Sequence, residues 1–423
     1  MTAPGDLASL DTAVRKAVAE TPIIDIHTHL FPPGHGELLL WGIDELLTYH
    51  YLVAELFTVA PRELTPEKFW KLPKREQADM VWQHVFLRHG ALSEAARGVV
   101  TVLNKLGLDA GSRDLAGARK WFAEQTVEEY LEKIFRIAGV DWAAMTNDPF
   151  KPAEVEHWKA RRPLHERLRP ALRIDSVLTA WPAAAGLMKA AGYDAAPDVP
   201  AGSFAEARAF TETRRFLADW ARRMKPLYMA MSLPPEFRYP AEDLCGRMFR
   251  NVVLPAAKEL GLPVAMMIGV RKQTNPALSD GGDAVGVADV TAVGNLCAEN
   301  RDVKFLVTML SRVNQHELCV AARKFGNLHL FGCWWFCNDP SIIAEMTAMR
   351  LELLGATFTA NHSDARVLDQ LAYKWPHTRA VVADVLANKH RLLFEAGWRA
   401  TEEEIRRDAR ALFGGAFEQF LAK

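Results

Sequence analysis

The chain lacks most of what marks a secreted, membrane-bound or nucleic-acid-binding protein. Only five cysteines occur in 423 residues (Cys245, Cys297, Cys319, Cys333 and Cys337), with no Cys-x-x-Cys pair. So few, unpaired in spacing and odd in number, they argue against a disulfide framework and for a reducing compartment. No long hydrophobic run is present. The longest strongly apolar stretch near the middle, Leu262–Val270, is too short to cross a bilayer. The first 21 residues are mixed and charged, without the apolar segment of a secretion signal. An excess of charge is missing too, with 51 Lys plus Arg against 52 Asp plus Glu. That balance sets nucleic acid aside as a partner, while one or two placed arginines still suffice for a small anion. The expectation is a cytoplasmic globular protein with no membrane and no nucleic-acid partner.

What is present is a rhythm of short apolar runs separated by helical patterns. The runs predict strands at Ile23–His27, Val140–Met145, Pro170–Ile174, Leu227–Ser232, Pro263–Ile268, Lys304–Met309, Leu328–Gly332 and Thr357–Asn361. Most are apolar without alternation, as strands buried on both faces of a parallel sheet must be. Helices are expected between them at Phe204–Arg223, Ala241–Leu260, Val287–Asn300, Gln315–Phe325 and Ile342–Leu354. Eight strands alternating with helices predict an α/β fold, a (β/α)8 TIM-type barrel, with an open doubly wound sheet as the alternative. The interval of about 110 residues between the first two strands is too long for a structureless loop. It predicts a large helical insertion over about residues 30–139, with helices at Thr65–Arg88 and Thr126–Ile137, inside one barrel domain spanning 1–423.

Two motifs fall where such a barrel does its chemistry, at the carboxyl ends of its strands. The first strand ends in Asp25-Ile26-His27-Thr28-His29, followed by a Phe31-Pro32-Pro33-Gly34 break. Residues two apart on a strand share a face, so His27 and His29 could grip one cation at about 2.0–2.1 Å each. The last strand ends in Asn361-His362-Ser363-Asp364-Ala365-Arg366. In a closed barrel the first and eighth strands are neighbours, which makes Asp364 a third ligand, a base, or simply a helix cap. Arg366, two residues on, offers a fork for an anionic oxygen.

With these two motifs the chain resembles the amidohydrolase superfamily, and more narrowly the uronate (glucuronate) isomerase family. Thr48-Tyr49-His50-Tyr51 is similar to the family's His-Tyr pair, and Met145-Thr146-Asn147-Asp148-Pro149 to its Thr-Asp-Asp-Pro segment. Leu172-Arg173-Ile174-Asp175 resembles its Arg-Pro-Asp motif, and Ile268-Gly269-Val270-Arg271 with Asp283-Ala284-Val285-Gly286 its Gly-Ala-Leu-Arg and Asp-Ser-Ile-Gly. Gly332-Cys333-Trp334-Trp335 matches a tandem tryptophan, and Ser363-Asp364-Ala365-Arg366 its Thr-Asp-Ser-Arg. The matches keep one order and run from residue 22 to about 410. There are departures: Leu52-Val53-Ala54 stands where the family usually has Lys-Trp-Arg, and Met267 where relatives commonly place a histidine.

The resemblance implies an aldose–ketose isomerase that moves a proton between C2 and C1 of a hexuronate such as D-glucuronate or D-galacturonate, through an enediolate. It implies one divalent metal, with zinc as the choice, on His27, His29 and Asp364; two metals would need more ligands. Catalytic roles fall to Asp364, His50, Tyr51 and Arg366, and substrate binding to Arg173, Arg271 and Trp335. The partner expected is a small sugar acid, and a homo-oligomer is compatible with such a barrel. Plainer readings stand beside these: His50 and Tyr51 as packing, Arg173–Asp175 as a structural ion pair, one of Trp334 and Trp335 as core, and Cys333 and Cys337 as apolar filler. His362 is a candidate support behind the ligands. The rival functions are a mononuclear hydrolase or decarboxylase of the same superfamily and a sugar-acid binder without catalysis.

Overall fold

A computed structural model describes residues 3–423. Seven parallel strands form one curled sheet in chain order: β1 Ile23–Thr28, β2 Val140–Asn147, β3 Leu168–Arg173, β4 Met229–Leu233, β5 Val264–Ile268, β6 Phe305–Met309 and β7 Leu328–Leu330. The eighth expected strand, 357–361, enters as a single bridge between Phe331 and Thr359. Its pairing is divided among several partners. Thr359 N–H donates to Leu330 (3.1 Å) and Ala360 N–H to Leu412 (2.9 Å). Higher up, Asp364 N–H donates to His27 (3.1 Å) and His29 N–H to Ala365 (2.8 Å), which closes the ring onto β1. The architecture is thus the TIM-like barrel expected, with its last position built from loop hydrogen bonds. A small antiparallel pair, Val270–Arg271 with Ala284–Val285, lies outside the expected strands.

Strand side chains divide between two cores. Met145, Leu172, Met231, Met266 and Val307 join the large core under the helices. Ile24, Ile26, Trp142, Ala171, Ala265 and Met267 pack together with Phe417 and Phe420 of the last helix, Ala416–Ala422. That helix fills one end of the barrel, so the interior is packed and the other end is left for function.

Between β1 and β2 the chain is helical. The single helix expected over 65–88 is broken into Pro66–Phe69, Lys74–Val81 and the π-type turn Trp82–Leu87, with Pro73 preceding the second piece. Asp369 ties this region to the segment after the eighth strand position: its carboxylate accepts from Tyr130 Oη and Gly42 N–H. A 25-residue helix, Leu371–Glu395, packs on Leu7–Glu20, Glu94–Lys105 and Val127–Ala138. Its Arg379 donates to the Thr21 carbonyl at 2.7 Å, just before β1. Among the described residues, no helix is long and apolar enough to cross a membrane.

Candidate active site

β1 delivers two histidines to one place by an irregularity. Ile24 and Ile26 face the barrel interior, and the register to β2 shifts between Asp25 and Thr28. Asp25 is turned aside, where it accepts from Ser363 N–H (3.0 Å) and Trp375 Nε1 (2.8 Å). His27 and His29 then lie edge to face, ring centroids 5.2 Å apart. Asp364 completes the group, its Oδ1 lying 3.5 Å from His27 Nε2 and 3.2 Å from His29 Nε2. Two ligands about 2.05 Å from a tetrahedral ion stand about 3.4 Å apart, so this spacing suits a divalent metal. Thr146 Oγ1 lies 3.0 Å from His29 Nδ1, a second contact that leaves Nε2 for a ligand role. Asp364 reaches its position through a left-handed backbone (φ +52°), a strain characteristic of functional sites.

The electrostatics agree with that reading. Burial pushes His29 down to about 3, keeping it the neutral imidazole a metal requires. Burial would raise Asp364, but the two histidines outweigh it and hold the carboxyl well below the usual range. Buried polar atoms without a hydrogen-bond partner gather here: both ring nitrogens of His27 and of His362, Asp364 Oδ1, the Asn147 amide, His50 Nε2, Tyr51 Oη and Trp335 Nε1. Buried polar groups are ordinarily paired, and so many orphans in one region describe a site shaped for ligands.

Beside the cluster is a cavity of about 310 Å³. Its cations are Lys151, Arg173, Lys272 and Arg366, its acids Asp148, Glu154, Asp175 and Asp280, and His29 and Thr146 form its wall on the metal side. Arg173 grips Asp175 with Nε (2.8 Å) and Nη2 (3.0 Å), leaving Nη1 for another anion. Arg366 is paired with Asp280. His50 and Tyr51 begin the helix His50–Val59 and form an aromatic group with Trp335, whose ring centroid is 5.5 Å from that of His50. Burial, with the charge of Arg366, lowers His50 to about 3, and burial raises the Tyr51 phenol well above its ordinary value.

Of the expected site residues, His27, His29, Asp364, Arg366 and Arg173 converge on this mouth, and His50, Tyr51 and Trp335 form its aromatic flank. Arg271 does not join them. It is exposed on the short antiparallel pair, and the cation reaching the cavity from that region is Lys272. Trp334 and Trp335 are both buried, because the chain leaves β7 before reaching them and turns at Trp335 (φ +47°). Residues that the sequence did not single out include Asp148, Glu154, Lys272 and Asp280. Asp148 and Asn147 stood inside a recognised motif, which was the only available signal; the others come from one helix and one loop.

The chain matches a solved uronate isomerase from Bacillus halodurans at 47% identity and TM-score 0.95, over 99% of this chain and 97% of that one. The chain belongs to the uronate isomerase family. It is therefore an enzyme of the isomerase class. A uronate isomerase from Thermotoga maritima (16% identity, TM-score 0.77, 97% of each chain) and a glucuronate isomerase from Caulobacter crescentus share the fold. The latter has 18% identity and TM-score 0.74, over 99% of this chain and 96% of that one. No protein-family model and no curated protein sequence matches the chain. In this member of the uronate isomerase family, Met267 lies buried in the barrel interior and provides no metal ligand there.

Proposed function

We propose that this enzyme interconverts a hexuronate, D-glucuronate or D-galacturonate, with its keto-uronate at the barrel mouth. The observation that carries the reading is the gathering of unpartnered buried groups around His27, His50, Tyr51, Trp335 and Asp364, beside a cavity holding free guanidinium donors. His27, His29 and Asp364 would hold one divalent ion, zinc by its preference for two imidazoles and a carboxylate. When bound, that ion would supply Lewis-acid polarisation of a substrate oxygen.

The chain's own groups account for the rest. Asp364 is ionised at any working pH, and its Oδ2 makes no hydrogen bond, so it is free to carry a proton from C2 to C1. As a weak base it would draw on the acidity that a bound metal would confer on the substrate. Arg366, charged beside the reacting carbons, stabilises the enediolate. His50 as a neutral imidazole and Tyr51 as an un-ionised phenol are placed to move protons during ring opening. Arg173 Nη1 takes the substrate carboxylate, and Trp335 gives an apolar wall.

The test is ketose formation from each sugar by the zinc-loaded enzyme. His50→Asn and Tyr51→Phe should each lower kcat by about 10²–10⁴-fold, with KM changed far less. Unaltered turnover in both variants would return these residues to packing roles, and no ketose from either sugar would overturn the reading.

A further inference from the structure

One wall of the cavity has no task in that scheme. Glu154, on the helix Pro152–Lys159, is 3% exposed and lines the cavity together with Asp148. Its local setting comes from an Asp148-Pro149-Phe150-Lys151-Pro152 turn, in which Asp148 Oδ1 accepts from Phe150 N–H at 2.9 Å. Glu154 Oε2 accepts the Asp148 N–H at 2.7 Å, while Oε1 makes no hydrogen bond. The nearest cation to Oε1 is Lys151 Nζ at 3.8 Å, on a side chain 60% exposed and so mostly in water. The better-buried cation, Arg173, is already committed in part to Asp175, which also accepts from Ser232 N–H at 2.9 Å.

This wall therefore sets three carboxylates, Asp148, Glu154 and Asp175, against one partly buried guanidinium. A uronate carboxylate arriving at Arg173 would be a fourth negative charge. Like charges held close in a buried site cannot all stay ionised, and one of them takes a proton. Asp175 is excluded because Arg173 grips it through two hydrogen bonds. Glu154 is the best placed, buried and with an oxygen free to hold the proton. We propose that Glu154 takes one proton from solvent as the substrate carboxylate docks on Arg173, and donates that O–H to the carboxylate. This inference rests on the uronate reading above and adds to it how the acid end of the sugar is recognised.

The charged neighbours are consistent with it. Asp148 and Lys151 face Glu154 from its own loop, and Arg173 and Asp175 from β3 and the short helix beyond, Asp175–Thr179. His35 packs on the same helix through His157, with ring centroids 4.7 Å apart. Lys272, Asp280 and Arg366 lie in the rest of the cavity wall. Burial, offset in part by the Asp148 N–H and Lys151, already lifts the Glu154 carboxyl to about 7. A docked carboxylate raises it further. Below about pH 7 the free enzyme already carries the proton and binding takes up none. Above it, uptake approaches one, and uronate KM rises up to about tenfold per pH unit.

The test is calorimetric binding of L-gulonate to the zinc-loaded enzyme in two buffers of different ionisation enthalpy. L-Gulonate is D-glucuronate with its aldehyde reduced, so it keeps the carboxylate and cannot isomerise. About one proton taken up per site at pH 8, near zero at pH 6, and loss of the uptake in Glu154→Gln is the expected result. Equal heats in both buffers at pH 8, or unchanged uptake in E154Q, would overturn the proposal. Infrared difference spectra of the unaltered enzyme give a second reading independent of how the variant folds. Binding at pH 8 must produce a new carboxylic-acid band, and its absence overturns the proposal equally. Binding without proton uptake leaves the isomerase reading standing. Failure of L-gulonate, D-glucuronate and D-galacturonate alike to bind would remove both.

Discussion

At the scale of single residues, the site is held in place by glycine as much as by its ligands. Gly332 sits at φ +66°, and a Cβ there would lie 1.8 Å from His362 Nδ1. His362 is buried edge-on against His27, with ring centroids 5.2 Å apart. Gly332→Ala must therefore both strain the backbone and displace a buried ring, costing about 3 kcal/mol. Gly294, inside the helix Val290–Glu299, has only Phe325 within 4 Å, at 3.9 Å. Gly294→Ala should leave stability unchanged or raise it by up to about 1 kcal/mol. Chemical denaturation of the two variants checks the contrast, and similar losses would contradict it. The metal-ready trio was legible in the sequence because two of its members are fixed by covalent spacing and the third by strand order. Glu154, Lys272 and Asp280 were not, since only tertiary folding brings a helix and a distant loop to one cavity.

Among the elements, the last helix has a larger role than its seven residues suggest. Phe417 and Phe420 are buried with Ile24, Ile26, Trp142 and Tyr228 inside the barrel. Phe417→Ala should cost about 3–5 kcal/mol by the usual penalty for a buried aromatic, read as a shift in the denaturation midpoint. A loss below about 1 kcal/mol would show that the barrel end is not closed by this helix. The seven sheet strands were readable from their unbroken apolar runs, which parallel, doubly covered strands require. The eighth was readable in composition but shortened in fact, because Leu412 occupies a partner position and loop hydrogen bonds to His27 and His29 replace a ladder. The antiparallel pair at 270–271 and 284–285 left no pattern to read, being two residues on each side. Pro73 was a visible breaker within the 65–88 stretch, and it outweighed the helical periodicity around it.

Over the whole molecule, the long helix Leu371–Glu395 links the helices between β1 and β2 to the N-terminal helix Leu7–Glu20. Asp369, just before it, holds Tyr130 and Gly42 of that same region. The helices thereby fix His50 and Tyr51 against the mouth, so the aromatic flank of the site depends on packing far from it in sequence. On the proposed function the scales join, with one metal-ready trio in this barrel mouth acting with Arg366 and the His50–Tyr51 pair to isomerise a uronate. The most direct measurement is proton NMR of the zinc-loaded enzyme with D-glucuronate, then D-galacturonate, in D₂O. The account predicts keto-uronate signals, with both ketose and C2 exchange abolished in Asp364→Asn and by a chelator. Neither ketose nor exchange with either sugar, or full activity in Asp364→Asn, would contradict it.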